Sequence, residues 1–250
     1  MNIKPLVIAL VLGTSSLQSQ IINPGLTGNT LTDGWENLTN LNLLRNFAMV
    51  TGGFPRSPRL SAPWTASIAA NEAGSNGGGQ YVITSGNGFA SGSGIYSPFV
   101  NSGFSVSSGA PLAGLDTIVL QVYASTGEQG IGILVPPSLN LNGGSQAFVA
   151  TDFALVYSRF GGEFDPDGNG LVSFFNNVYA YQWDVSSFEG PISSFQINYV
   201  VRSHSTTYGL RLDQSDVYTQ VIPEPTTAVL LGGVSLAALL LKRRRVSVRS

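Results

Sequence analysis

The chain has 250 residues, 10% of them charged and 43% hydrophobic, with 13 Phe, 9 Tyr and 3 Trp. That length suits one domain, and the aromatic content is too high for a disordered chain. The absence of cysteine excludes disulfides, thiol catalysis and cysteine zinc sites. Both lysines, Lys4 and Lys242, lie near the ends, and from Ile21 to Ile222 six basic residues stand against thirteen acidic ones, a net charge of −7. Such an acidic body argues against nucleic acid and anionic membrane surfaces as partners.

Residues 1–20 read as a secretory signal peptide. Lys4 precedes the apolar run Leu6 to Leu12, and Gly13 to Gln20 is small and polar. The apolar run is too short to span a bilayer. From Trp35 to Met49, Leu38, Leu41 and Leu44 fall near helical spacing, and Asp33 or Gly34 suits the cap, so a helix is expected there. Residues 52–114 are rich in Gly, Ser, Asn and Pro. Tyr81, Ile83, Phe89, Ile95, Tyr96, Phe99 and Phe104 are spaced through them, which predicts strands joined by long loops.

Beyond residue 114 the period is two. Ile118, Leu120 and Val122 alternate with Val119 and Gln121. Tyr179, Tyr181 and Trp183 alternate with Ala180 and Gln182, and Phe195, Ile197, Tyr199 and Val201 repeat the pattern. Further strands are expected at 80–84, 130–135, 148–150, 153–157 and 208–212, separated by turn sequences such as Asn87-Gly88 and Asn142-Gly143-Gly144. The fold expected is all-β, a β-sandwich or jelly-roll-like ectodomain over 21–212, followed by a short stalk over 213–222.

Within this body Asp165-Pro166-Asp167-Gly168-Asn169-Gly170 is the clearest candidate for chemistry. Oxygen ligands at loop positions one, three and five suit calcium, with Asp165, Asp167 and Asn169 as ligands and Glu163 assisting. Asn176 stands at the twelfth position, where a full calcium loop of this type carries Glu, and a plain turn explains the same residues. Trp35 and Trp64, in loop-like surroundings, are candidates for stacking against a saccharide, whereas Trp183 on an alternating strand belongs to a core. His204 is the only histidine, so a multi-histidine metal site is excluded. No Gly-x-Ser-x-Gly elbow or phosphate-binding loop occurs. No spacing singles out the pair of carboxylates that a glycosidase needs, and Asp184 and Asp213 suit turn caps or arginine partners equally.

The C-terminus has three parts in order: Pro223-Glu224-Pro225, sixteen uncharged residues from Thr226 to Leu241, and Lys242-Arg243-Arg244-Arg245. As a helix the middle part reaches about 24 Å, a short transmembrane span. The basic residues stay cytoplasmic, so the body lies on the other side of the membrane, in agreement with the signal peptide. This tail, residues 223–250, resembles the PEP-CTERM sorting signal of Gram-negative bacteria. The resemblance covers about the last 30 residues. It implies recognition by an exosortase-type membrane protease after export through the Sec machinery, with processing near Pro223-Glu224-Pro225. It also implies transient anchoring by helix 226–241 before delivery to the cell surface or extracellular matrix. Tyr208 to Asp213 is similar to the strand that often precedes such tails. No catalytic residue and no obligatory cofactor is expected. The functions expected are, first, a non-enzymatic surface protein associated with exopolysaccharide, second, a carbohydrate-binding module supported by calcium, and third, a surface glycoside hydrolase.

Overall fold

The computed structural model describes residues 21–39 and 67–222, apart from 128, 129, 166, 167 and 169. The signal peptide, Trp64, Asp167, Asn169 and the whole tail from Pro223 lie outside these residues.

Thirteen strands make up the described body. They are β1 (Thr30–Trp35), β2 (Ile68–Ala69), β3 (Gln80–Ser85), β4 (Phe89–Ala90), β5 (Ile95–Ser97), β6 (Ser102–Ser108) and β7 (Thr117–Ser125). Then come β8 (Ile133–Leu141), β9 (Phe148–Val149), β10 (Asp152–Phe164), β11 (Val172–Asp184), β12 (Phe195–Val201) and β13 (Ser205–Ser215). They form two antiparallel sheets. The first has the order β10-β11-β7-β13-β5-β4, with β1 also paired to β13. The second has the order β2-β3-β6-β12-β8-β9. The all-β expectation therefore holds.

The alternation that predicts the central strands also builds the core. Ile118, Leu120 and Val122 of β7, Leu210 and Leu212 of β13, and Tyr181 and Trp183 of β11 share one buried cluster with Phe104, Val106, Ile197 and Tyr199 of the other sheet. Phe104 of β6 stacks between Tyr81 and Tyr199, with ring centroids 5.5 Å apart on either side. Each large side chain removed from water here contributes about 2–3 kcal/mol.

The expected helix beginning at Trp35 is not formed at its start. Trp35 ends β1, paired with Leu210, and residues 36–39 are not helical; residues beyond 39 lie outside the described set. Leucine spacing is a weak signal when a strand partner is available, and here β13 provides one. Gly34 cannot be exchanged for a residue with a side chain, because a Cβ there would collide with the Glu72 carboxylate.

The expected stalk is also not a stalk. Asp213, Gln214 and Ser215 belong to β13, and residues 217–222 lie across the outer face of the first sheet beside residues 21–29. Two buried glutamines hold these straps. Gln121 accepts the Ile22 N–H and donates to the Ile22 carbonyl. Gln182 donates to the Thr219 carbonyl and accepts the N–H groups of Val221 and Ile222. Leu26, Val221 and Ile222 then pack on Val119, Ala180, Ala154 and Val156. This is why β7 is buried on both faces.

Candidate functional site

One end of the body gathers most of the residues that bear on binding. β10 and β11 run past the end of β7 over residues 160–164 and 172–175, since the pairing of β7 with β11 stops at Asn176↔Ser125. This overhanging hairpin carries the predicted calcium loop at its tip. Phe164, the residue before Asp165, rests against His204, with ring centroids 5.9 Å apart.

His204 sits in the turn between β12 and β13 with a left-handed backbone, φ 61°. Its N–H donates to the Ser97 carbonyl at 2.6 Å, and its Nδ1 shares a 2.8 Å hydrogen bond with the Tyr96 hydroxyl. Phe99 meets the imidazole edge-on at 6.1 Å, and Phe89 meets Tyr96 edge-on at 5.7 Å. The turn is pinned from below, where the Ser203 N–H donates to Asn101 Oδ1 and the Arg202 N–H to the Gly132 carbonyl. The strands β4, β5 and β10 and the two connections that carry Phe99 and His204 thus deliver rings to one surface. Its outermost member, Phe99, is 75% exposed. Rings fixed at their edges and open on a face can stack on an apolar ligand face, while imidazole and phenol supply hydrogen bonds beside it.

The sequence candidates fare differently here. Asp165 lies at the tip, and its Oδ1 accepts the N–H groups of Gly168 at 2.7 Å and Gly170 at 3.3 Å. The carboxylate thus closes a turn, the alternative that the Asp-Pro-Asp-Gly sequence left open. Glu163 pairs with Ser173 in the hairpin ladder, and Asn176 is opposite Arg159. Trp35 is corrected. It is 1% exposed and its Nε1 donates to the Ile68 carbonyl at 2.8 Å, so it presents no face to a ligand. Trp183 is likewise in the core, donating to the Phe148 carbonyl. Phe99, one of the apolar residues spaced through the expected strands and long loops of residues 52–114, lies in the loop between β5 and β6. The signal that marks it is a large apolar residue after proline in Ser97-Pro98-Phe99-Val100-Asn101, a turn sequence where burial is unavailable.

The acidic residues form a separate cluster beside β1. Asp213 accepts both contacts from Arg211 Nε, at 2.9 and 3.0 Å, and one from Thr32 Oγ1 at 2.8 Å. Glu72 lies 3.9 Å from the same guanidinium. Asp33 is fully buried, accepting the N–H groups of Gly77 and Gly79. Burial pushes the carboxyls of Asp33, Glu72 and Asp213 above their usual range, against the pull of the backbone N–H groups on Asp33 and of Arg211 on the other two. These groups brace β1, β13 and the loop 71–79. Asp184 accepts the Ser186 N–H and hydroxyl and caps its turn.

No family model, no curated protein and no solved structure matches the chain.

Proposed function

We propose that this chain is an exported surface protein that an exosortase-type protease processes at its C-terminus. On this reading it is a non-enzymatic, jelly-roll-like sandwich associated with exopolysaccharide. The observation that carries the proposal is the ordered tail of Pro223-Glu224-Pro225, an uncharged sixteen-residue span and four basic residues. It begins one residue after Ile222, whose side chain is buried against the outer sheet face. Cleavage at a motif placed directly beyond a folded body leaves that body intact. The test is expression in a bacterium with and without an exosortase. The chain should shorten and leave the membrane fraction only when the enzyme is present. Replacing Pro223, Glu224 and Pro225 together by alanine should leave it at full length in the membrane. Shortening of that variant at the same rate would defeat the proposal.

A second reading, saccharide binding supported by calcium, is favoured by the aromatic surface around His204. Retention on immobilised bacterial polysaccharides should fall at least tenfold for Phe99→Ala. If Asp165, Asp167 and Asn169 hold calcium, a chelator should lower retention of the parent chain. Retention unaffected by Phe99→Ala would remove this surface from consideration.

A further inference from the structure

Each sheet edge in this body meets the hazard of unpaired backbone groups, which invite another strand. Most are guarded. β2, β4 and β9 are each two residues long. β8 carries Pro136 and Pro137 where β9 leaves it. The free side of β1 is covered by the loop after β2, since Asn71 and Glu72 donate to the Gly34 carbonyl and Asn76 to the Thr32 carbonyl. Asn76 Oδ1 and Ser75 Oγ in turn accept the N–H groups of Thr32 and Gly34.

β10 is different. It is thirteen residues long and contains neither proline nor lysine, its two bulges being the device of that kind it carries, and among the described residues it ends its sheet and pairs with β11 alone. The groups it leaves open follow from the ladder. The Gln182 carbonyl accepts the Thr151 N–H, whereas the Val185 N–H donates to Asp116 beside β7. Even-numbered residues of β11 therefore direct their backbone to β10 and odd-numbered ones to β7. The β10 partners of those even residues, Asp152, Ala154, Tyr157 and Arg159, face inward. Phe153, Leu155, Ser158 and Phe160 are left with N–H and carbonyl groups pointing away from the sheet. Three of these four are apolar and 44%, 50% and 55% exposed.

We propose that β10 pairs antiparallel with β10 of a second copy of this chain, forming a two-fold dimer centred on Leu155. Charge selects the register. With Leu155 opposite its own copy, and the bulge between Leu155 and Tyr157 counted as one extra residue, Asp152, which is largely buried and also accepts from Gln220 Nε2 of the strap, comes opposite the exposed Arg159 of the second copy on the outer face. Phe153 comes opposite Ser158 on the other face. One edge is used per copy and the pairing is isologous, so assembly stops at two. Among the described residues the other sheet edges are short or covered and do not extend it. The inference is independent of how the tail is sorted.

The chain has no cysteine, so one introduced thiol reports the interface. Opposed residues that exchange both backbone bonds have Cα atoms about 5.5 Å apart, within disulfide reach. Full-length Leu155→Cys, mildly oxidised, is expected to run at twice the chain mass on a non-reducing gel. Ser187→Cys, on an exposed turn, is expected to stay at single mass. Arg159→Asp added to Leu155→Cys should cut the dimer yield several-fold. A parent that sediments as a dimer should become monomeric with Leu155→Lys, and this half-exposed site tolerates the charge without unfolding. Absence of the Leu155→Cys dimer, or an equal yield from Ser187→Cys, overturns the proposal.

Discussion

β11 crosses two environments, and the contrast between its halves is instructive. From Val178 to Trp183 it lies in the body, with a core on one face and the straps on the other. There a polar side chain, Gln182, is completely buried and makes three hydrogen bonds. From Val172 to Phe175 it runs past β7, and there Phe175 is 40% exposed beside Phe160, their rings 5.8 Å apart. Polar burial and apolar exposure thus occur on one strand. Side-chain polarity did not decide its course. Partners did: the straps satisfy the glutamine, and nothing among the described residues covers the phenylalanines.

This contrast should appear in stability, measured by urea unfolding. The largest effect is expected in the body. Trp183→Ala removes a fully buried indole and should cost about 4 kcal/mol. Gln182→Ala leaves one carbonyl and two N–H groups without their partner and should cost about 2–3 kcal/mol. It should also speed exchange of the Val221 and Ile222 amides, and if those amides stay protected the straps are held by packing alone. A smaller effect is tied to pH. Asp33, Glu72 and Asp213 have carboxyls raised by folding, so the folded chain binds more protons than the unfolded one. Their contribution is full below the ordinary carboxylate range near pH 4, and it is lost as pH rises through the folded values. The urea midpoint should therefore increase on mild acidification from neutral pH, and Glu72→Gln should flatten that rise. In the overhang, Phe160→Ala should change stability by less than about 0.5 kcal/mol. A loss as large as that of Trp183→Ala would mean that the overhang is packed in solution.

Much of the body was legible in the sequence because its strands alternate cleanly between two faces. β7, β11 and β12 are visible as period-two runs of aromatic and β-branched residues. The distal part of β10 was not, because Ser158, Gly161 and Gly162 interrupt the pattern and two bulges shift its phase. The C-terminal strap was illegible for another reason. Its order comes from Gln182, about forty residues earlier in the chain, and local composition carries no trace of that. Trp35 misled through its neighbours, since leucines at helical spacing follow it while its own backbone pairs with Leu210. At the candidate site, Asp165 was visible as a turn former. The gathering of Tyr96, Phe99, Phe164 and His204 depends on two strands and two connections, far apart in the chain, meeting at one end, which no single stretch of sequence encodes.

The straps also determine how the body bears load. Both ends of the described chain leave from the same outer face. Thr27 and Thr219 join through their hydroxyls, and Asn29 donates to Asp216 through its backbone and side chain. Tension applied at Ile222 would meet the bonds of Ile222, Val221 and Thr219 to Gln182 before it reaches β13. β13 is held along its length by β7 on one side and by β1 and β5 on the other, and resists in shear. A pull applied at Ile222 is therefore expected to release the last few residues before it strains the two sheets.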